Sequence, residues 1–217
     1  MAIIGGVEEA GRGPVIGPMV MAICAMEEKD IGTLKALGVK DSKLLTPQQR
    51  EGLFEHIKRL TKHTITIISA KEIDAALESE DLNLNWLEAQ TSATLIDGLD
   101  AKLTKVILDC PSNNIPAYTA YVKKHVKRDV EIIAEHKADL NHTIVGAASI
   151  LAKVTRDREI ETIKKKIGHD FGSGYPSDPS TIAFLEKYHD AYDIFRTSWA
   201  SYRNAGQKTL HLQLVYL

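Results

Sequence analysis

Two short apolar runs near the start of the chain, residues 2–7 and 15–26, constrain the fold more than any other feature. Both are partly β-branched and bounded by turn formers, so both read as buried strands. Between them stands Glu-Glu-Ala-Gly-Arg-Gly-Pro, residues 8–14. So short a connection predicts an antiparallel pair joined at the Gly-Arg-Gly turn. A core has no packing use for two adjacent glutamates at the end of a strand. A metal site or a phosphate-handling site does.

The rest of the chain extends this start into an α/β pattern. Thr46, Pro47 and Gln49 supply a cap, a first-turn proline and a capping box for a helix over 46–60. Residues 64–70 read as a strand, and Ser69 with Glu72 forms a second capping box. Residues 83–99 predict a longer helix that buries Trp86, Leu87, Ala93, Leu95 and Ile96. Residues 105–110 and 130–135 are further buried strands. Residues 140–166 and 178–189 are helical, the second capped by Asp178 with Pro179 behind it. Clustered strands followed by alternation predict an α/β domain with a mixed β-sheet flanked by helices over 1–166. Residues 167–217 are expected to form a C-terminal helical cap and tail.

Charge and cysteine content exclude several classes. The formal net charge of the 217 residues is −2, so nucleic acid would have to be met by a local basic patch. The two cysteines, Cys24 and Cys110, have neither metal-ligand spacing nor partners for a disulfide framework. Small buried positions in a reducing cytosol suit them better. The longest apolar run, 13–26, is too short to span a bilayer. It is preceded by acids rather than a basic lead-in, which argues against a signal peptide and for a cytoplasmic protein.

Four carboxylates share one kind of position. Glu8 and Glu9 end the first strand, Asp109 ends Val-Ile-Leu-Asp, and Asp139 follows the strand at 130–135 and opens a helix. Ligands of α/β sheets gather where strand ends meet helix starts. Acids brought together there repel each other, and a hard divalent cation relieves the repulsion. Two such ions roughly 4 Å apart clamp the attacking and leaving oxygens of a phosphoryl transfer. Taken alone, Asp139 equally suits a helix N-cap. Glu8 and Glu9 do not, because glutamate is a poor turn former.

Residues 6–20, GVEEAGRGPVIGPMV, closely resemble the signature of the type 2 ribonucleases H, the ribonuclease HII family of the archaeal kind. Further motifs follow in family order: GVKDSKLLTPQQR, VILDCPS, AEHKAD with GAASILAKVTRD, GSGYPSDPSTIAFL and RTSW at 196–199. Together they span about residues 1–200. The resemblance implies a ribonuclease-H-like fold and metal-dependent cleavage of RNA in RNA–DNA hybrids, including single ribonucleotides embedded in duplex DNA. Products would carry 3′-hydroxyl and 5′-phosphate ends, and a monomer is the expected acting form.

The same resemblance assigns roles. Glu8, Glu9, Asp109 and Asp139 would hold Mg²⁺ or Mn²⁺. Gly11, Arg12 and Gly13 would read the 2′-hydroxyl, with Tyr175 against the neighbouring sugar. Lys40, Ser42, Lys43, Lys137, Lys153 and Arg156 would hold phosphates. His136 is read as a structural hydrogen-bonder. Two departures stand out. Glu8 replaces the family's aspartate and places its carboxylate one methylene further out, which keeps open a hybrid-binding protein with weakened catalysis. Gly146 replaces a serine inside a helix, where glycine costs roughly 0.5–1 kcal/mol. The tail QKTLHLQLVYL, residues 207–217, resembles the start of a sliding-clamp-binding peptide at Gln207 and Leu210 but also alternates like a terminal strand.

Overall fold

Ile3–Ala10 (β1) and Met19–Glu27 (β2) form the antiparallel pair that the two apolar runs predict, in register from Ile3↔Glu27 to Ala10↔Val20. The computed structural model describes residues 2–206. The second strand starts at Met19 rather than at residue 15. Pro14 and Pro18 cannot donate to a ladder, and Gly11 and Gly17 take left-handed backbone, so 11–18 leave the sheet as a loop.

Downstream, Ile31–Ala36 (α1), Pro47–Leu60 (α2), Lys62–Ile68 (β3), Ala70–Glu78 (α3) and Leu84–Gly98 (α4) follow in order. Both expected capping boxes are present, Thr46 with Gln49 on α2 and Ser69 with Glu72 on α3. Then come Lys105–Asp109 (β4), Ile115–His125 (α5), Glu131–Glu135 (β5), Ala138–Asn141 (α6), Thr143–Ile167 (α7) and Pro179–Tyr188 (α8). The helix expected over 140–166 is thus broken at His142, whose backbone is extended. Among the described residues five strands make one sheet in the order β3-β2-β1-β4-β5. The pairings of β1 with β4 and of β4 with β5 are parallel, which makes the sheet mixed, as expected.

Two compact units divide the chain, and the cut is not at 166/167. The first comprises the chain up to Ala10, Val20–Ile67 and Leu84–Thr155; the second comprises Gly11–Met19, Ile68–Asn83 and the chain from Arg156 onward. The expected boundary fails because the 11–19 loop and α3 pack with the C-terminal helices rather than with their chain neighbours.

The first unit carries the sheet. Ile4, Val20, Ala22, Cys24 and Ile107 pack against Phe54 and Ile57 of α2 and against the Ile144–Val154 stretch of α7. Glycine makes the closest approach possible. A Cβ on Gly6 would lie 2.6 Å from the backbone of Ile144 and Val145, so α7 rests directly on β1. Gly146 serves the same end, since a Cβ there would lie 3.3 Å from Asp139 O and Lys40 C. The residue that weakens α7 as a helix is what lets it approach the loops carrying Lys40 and Asp139. On α4, Trp86 and Leu87 are only half-buried, and Trp86 stacks on Tyr121 with ring centroids 4.3 Å apart. Glu88 is buried in their place. Both cysteines are free and buried, as expected.

The second unit has its own aromatic core. Val15, Ile16, Ile160, Phe171, Phe184, Leu185 and Phe195 are buried together, and Ile16 bridges Phe195. Asp178 caps α8 by accepting from the Ser180 N–H. Among the described residues no helix is long and apolar enough to cross a membrane.

Candidate active site

Parallel pairing of β1 with β4 sets the acids side by side. Val7 is opposite Leu108, so Glu8 and Asp109 occupy the next level of the ladder. Glu9 belongs to the opposite face of the strand. At the strand ends the carboxylates of Glu8, Glu9 and Asp109 nevertheless converge, with one ligand oxygen from each within 4.8 Å of the others. Asp139 lies outside that trio but within its field, and it is among the charges that raise the Glu8 pKa.

Asp139 is not the helix cap that its position suggested. It is the second residue of α6, behind Lys137, and Lys137 adopts φ 59. The left-handed turn at Lys137 brings the Ala138 N–H to Asp109 Oδ1 at 2.7 Å, tying the α6 loop to β4. The Asp139 carboxylate faces inward, 5% exposed, with Lys43 Nζ 3.7 Å from its Oδ2.

The electrostatics of the site favour a cation. Burial, then the charges of Glu9, Asp109 and Asp139, push the Glu8 carboxyl well above the usual range, against the pull of Lys43. Burial and then Asp41 raise Asp139 as well. For Lys43, burial works against the charged form, but the attraction of Asp139, Asp41, Glu8 and Asp109 outweighs it and raises the pKa. Glu8 Oε2 and Asp139 Oδ2 are buried with no hydrogen-bond partner among the described residues. Converging hard oxygens, two of them buried without a hydrogen bond among the described residues, fit a hard divalent cation.

The phosphate candidates divide. Lys40, Lys43 and Lys137 are exposed and Lys153 is half-buried. Ser42 is buried, 4% exposed, with its hydroxyl 2.9 Å from that of Ser149. Arg156 is also buried and donates to Ser173 O at 2.8 Å. Burial lowers its pKa, and the guanidinium sits 5.4 Å from the Tyr175 ring centroid. A single charge in a helical sequence reads as solvated; this one is spent on holding the Tyr175 loop. His136, as expected, is a structural hydrogen-bonder, with Nδ1 2.9 Å from Cys110 O.

Asp41 and Glu88 are polar groups that the sequence reading passed over. Asp41 is buried, takes the Lys43 N–H at 2.8 Å, and its charge beside Asp139 raises that carboxyl's pKa. Its place inside the quoted Asp-Ser-Lys segment was the available signal. Glu88, 1% exposed, acts on Tyr118 and Cys110, both of which also feel Glu9. No sequence signal marked it.

In the second unit, Gly11, Arg12 and Gly13 form a loop whose carbonyls are bound by Arg196 and Trp199. The half-buried Tyr175 ring lies beside it, 3.6 Å from where a Gly13 Cβ would stand. Gly174 takes φ +82, and its carbonyl accepts from the Val15 N–H at 2.9 Å, which joins the tyrosine loop to the glycine loop.

Comparison with known proteins gives this geometry a family context. The ribonuclease HII family profile matches residues 5–202. Ribonuclease HII of Pyrococcus horikoshii is 44% identical over 216 residues, covering 97% of this chain and 96% of the relative. The crystal structure of ribonuclease H2 from the same organism superposes with a TM-score of 0.88 at 43% identity, covering 95% of this chain and 98% of the other. The ribonuclease HII of a PCNA complex from Archaeoglobus fulgidus gives 0.84 at 36% identity, covering 96% and 98%.

Proposed function

Because this chain belongs to the ribonuclease HII family of metal-dependent endoribonucleases, which act on RNA–DNA hybrids, we propose that it cleaves on the 5′ side of ribonucleotides, including single ones embedded in duplex DNA, and leaves 3′-hydroxyl and 5′-phosphate ends. The convergence of Glu8, Glu9 and Asp109 carries this reading. With Asp139 they would hold a pair of Mg²⁺ or Mn²⁺ ions, which when bound supply Lewis acidity and a lowered pKa for the attacking water.

The protein's own groups do the rest. Lys43, with its pKa raised among the acids, stays cationic and balances Asp139 while a phosphodiester binds. Lys40, Lys137 and Lys153 add point charges for the backbone, the local patch that a chain of net charge −2 requires. Gly11-Arg12-Gly13 begins one residue after β1 and brings bare backbone to the sugar, where the 2′-hydroxyl separates RNA from DNA. Tyr175 presents a ring face beside Gly13 for the next sugar. Glu8 joins the acid trio with its longer side chain, which supports the cleaving reading over binding alone.

A labelled DNA duplex with one ribonucleotide, incubated with Mg²⁺, Mn²⁺ or chelator beside a Glu8→Asp variant, tests the proposal. Metal-dependent incision 5′ of the ribonucleotide is expected, and the variant measures what the methylene contributes. No incision by either protein in either metal would overturn it. A sliding clamp is proposed as a partner through the tail, which lies outside the described residues. The support is the peptide-like Gln207 and Leu210 and the relative solved with PCNA. Truncation after Gly206 is expected to abolish clamp binding; unchanged binding would remove the idea.

A further inference from the structure

We propose that Arg196 and Trp199 are positioning residues that set 2′-hydroxyl selectivity by fixing the peptide planes of Gly11-Arg12-Gly13. The inference rests on the reading that this loop meets the ribose. Arg196 is completely buried and spends its guanidinium on main chain. Nη2 donates to Gly11 O at 2.6 Å, Nη1 to Arg12 O at 2.8 Å and Nε to Gly17 O at 3.0 Å. Trp199 lies under the same guanidinium, 4.8 Å from its central carbon to the ring centroid, and donates Nε1–H to Gly13 O at 3.2 Å. Two side chains of one tetrapeptide therefore hold every carbonyl of the glycine loop.

A planar trans peptide turns its N–H opposite to its C=O. Holding Gly11 O fixes the direction of the Arg12 N–H, and holding Arg12 O fixes that of the Gly13 N–H. The plane begun by Gly13 O ends at Pro14, which has no N–H, so the Trp199 bond orients no donor of its own but anchors the far side of Gly13, the residue whose N–H is presented. The loop is thus built to present two donors, both facing away from Arg196, with no freedom to flip. The tetrapeptide is anchored in turn. Asp74 of α3 accepts from the Thr197 N–H at 2.7 Å, its hydroxyl at 2.9 Å and the Ser198 N–H at 3.1 Å, while the Arg196 N–H donates to Val15 O at 2.8 Å. Donors fixed before the substrate arrives discriminate by geometry, and displacements near 1 Å cost on the order of 10²-fold.

The test uses three duplexes of one sequence, with ribose, 2′-fluororibose or deoxyribose at a single position. Wild type, Trp199→Phe and Arg196→Lys are compared for kcat, KM and melting temperature. Trp199→Phe keeps the ring under the guanidinium and removes only the Gly13 bond. It is expected to lower the ribose-to-fluororibose ratio of kcat/KM about tenfold through kcat, with KM and melting temperature unchanged. Arg196→Lys is expected to lower the ratio further, about 10²-fold. A ratio unchanged in Trp199→Phe while wild type discriminates overturns the proposal, and that variant decides the matter if Arg196→Lys fails to fold. Wild type that cuts the ribose and fluororibose duplexes equally overturns the 2′-hydroxyl reading instead, and the inference with it.

Discussion

The acid cluster and the glycine loop are neighbours in sequence, separated by Ala10 alone, and they are finished in opposite ways. Around Glu8 the polar accounting is left open: carboxylates converge, two buried oxygens lack hydrogen bonds among the described residues, and the neighbouring charges raise the Glu8 pKa. Around Gly11-Arg12-Gly13 the backbone accounting is closed, with two carbonyls bound by the buried Arg196 and the third by the half-buried Trp199. The open region is suited to a cation that arrives from outside. The closed region is suited to judging a shape without yielding to it. The difference teaches that binding and discrimination ask for opposite local physics, and that β1 runs from one to the other within three residues.

The largest effect should come from completing the open region with a neutral group. Asp109→Asn keeps an amide oxygen for the Ala138 N–H but removes a charge. Cleavage is expected to fall on the order of 10²–10³-fold, the size of losing one preorganised electrostatic group. Hybrid binding in chelator should hold or strengthen, as measured by fluorescence anisotropy, because a repulsive charge has gone. Next come two glycines. Gly6→Ala forces α7 off β1 and is expected to cost about 1–3 kcal/mol, or roughly 2–4 °C of melting temperature per kcal/mol. Gly13→Ala meets only the Tyr175 ring at 3.6 Å, so its melting temperature should match wild type while its activity falls. If both alanines unfolded the protein equally, the distinction between a packing glycine and a reading glycine would be wrong.

Such contrasts also explain what the sequence disclosed. β1, β2 and both capping boxes were legible because their signals are local: alternation, length and a residue three positions on. The acids were legible because Glu-Glu at a strand end has no packing use. The buried arginines were not. Arg196 serves carbonyls 179 to 185 residues away, and although it opens the RTSW motif, no local pattern shows that its guanidinium is buried on main chain. Arg156 and Ser42 show the same limit, since residue type suggested phosphate and could not disclose that both are buried. The unit boundary was hidden because 11–19 and α3 join the C-terminal helices through contacts that no local pattern encodes.

A smaller effect separates the regions by pH. Glu8 holds its proton to higher pH when folded than when unfolded, so across that window the native state binds more protons. Stability of the metal-free protein therefore falls as pH rises from the ordinary glutamate range toward the raised value. Thermal melts in chelator from pH 5 to pH 8 should show the decline. Glu8→Gln should flatten it, and added Mg²⁺ should oppose it by binding the ionised form. Arg196→Lys should leave the slope alone, because the Arg196 guanidinium is spent on carbonyls and not on the acid cluster. A slope unchanged in Glu8→Gln would locate the effect elsewhere.

The smallest effect lies at Lys137, where the two kinds of finish meet in one residue. Its backbone is held left-handed at φ 59, a conformation that costs a side-chain-bearing residue about 1–2 kcal/mol, and the turn delivers the Ala138 N–H to Asp109. Glycine takes that conformation freely but makes the unfolded chain more disordered by a similar amount. Lys137→Gly should therefore change stability by less than about 1 kcal/mol. What it should lose is one cation facing the hybrid: binding weakens at all sequences alike, and the slope of log affinity against log salt drops by about one. If instead stability collapsed, the lysine would be a structural part of the turn. If the salt slope did not move, its charge would have no phosphate to meet, and the strain at φ 59 would serve the Asp109 contact alone.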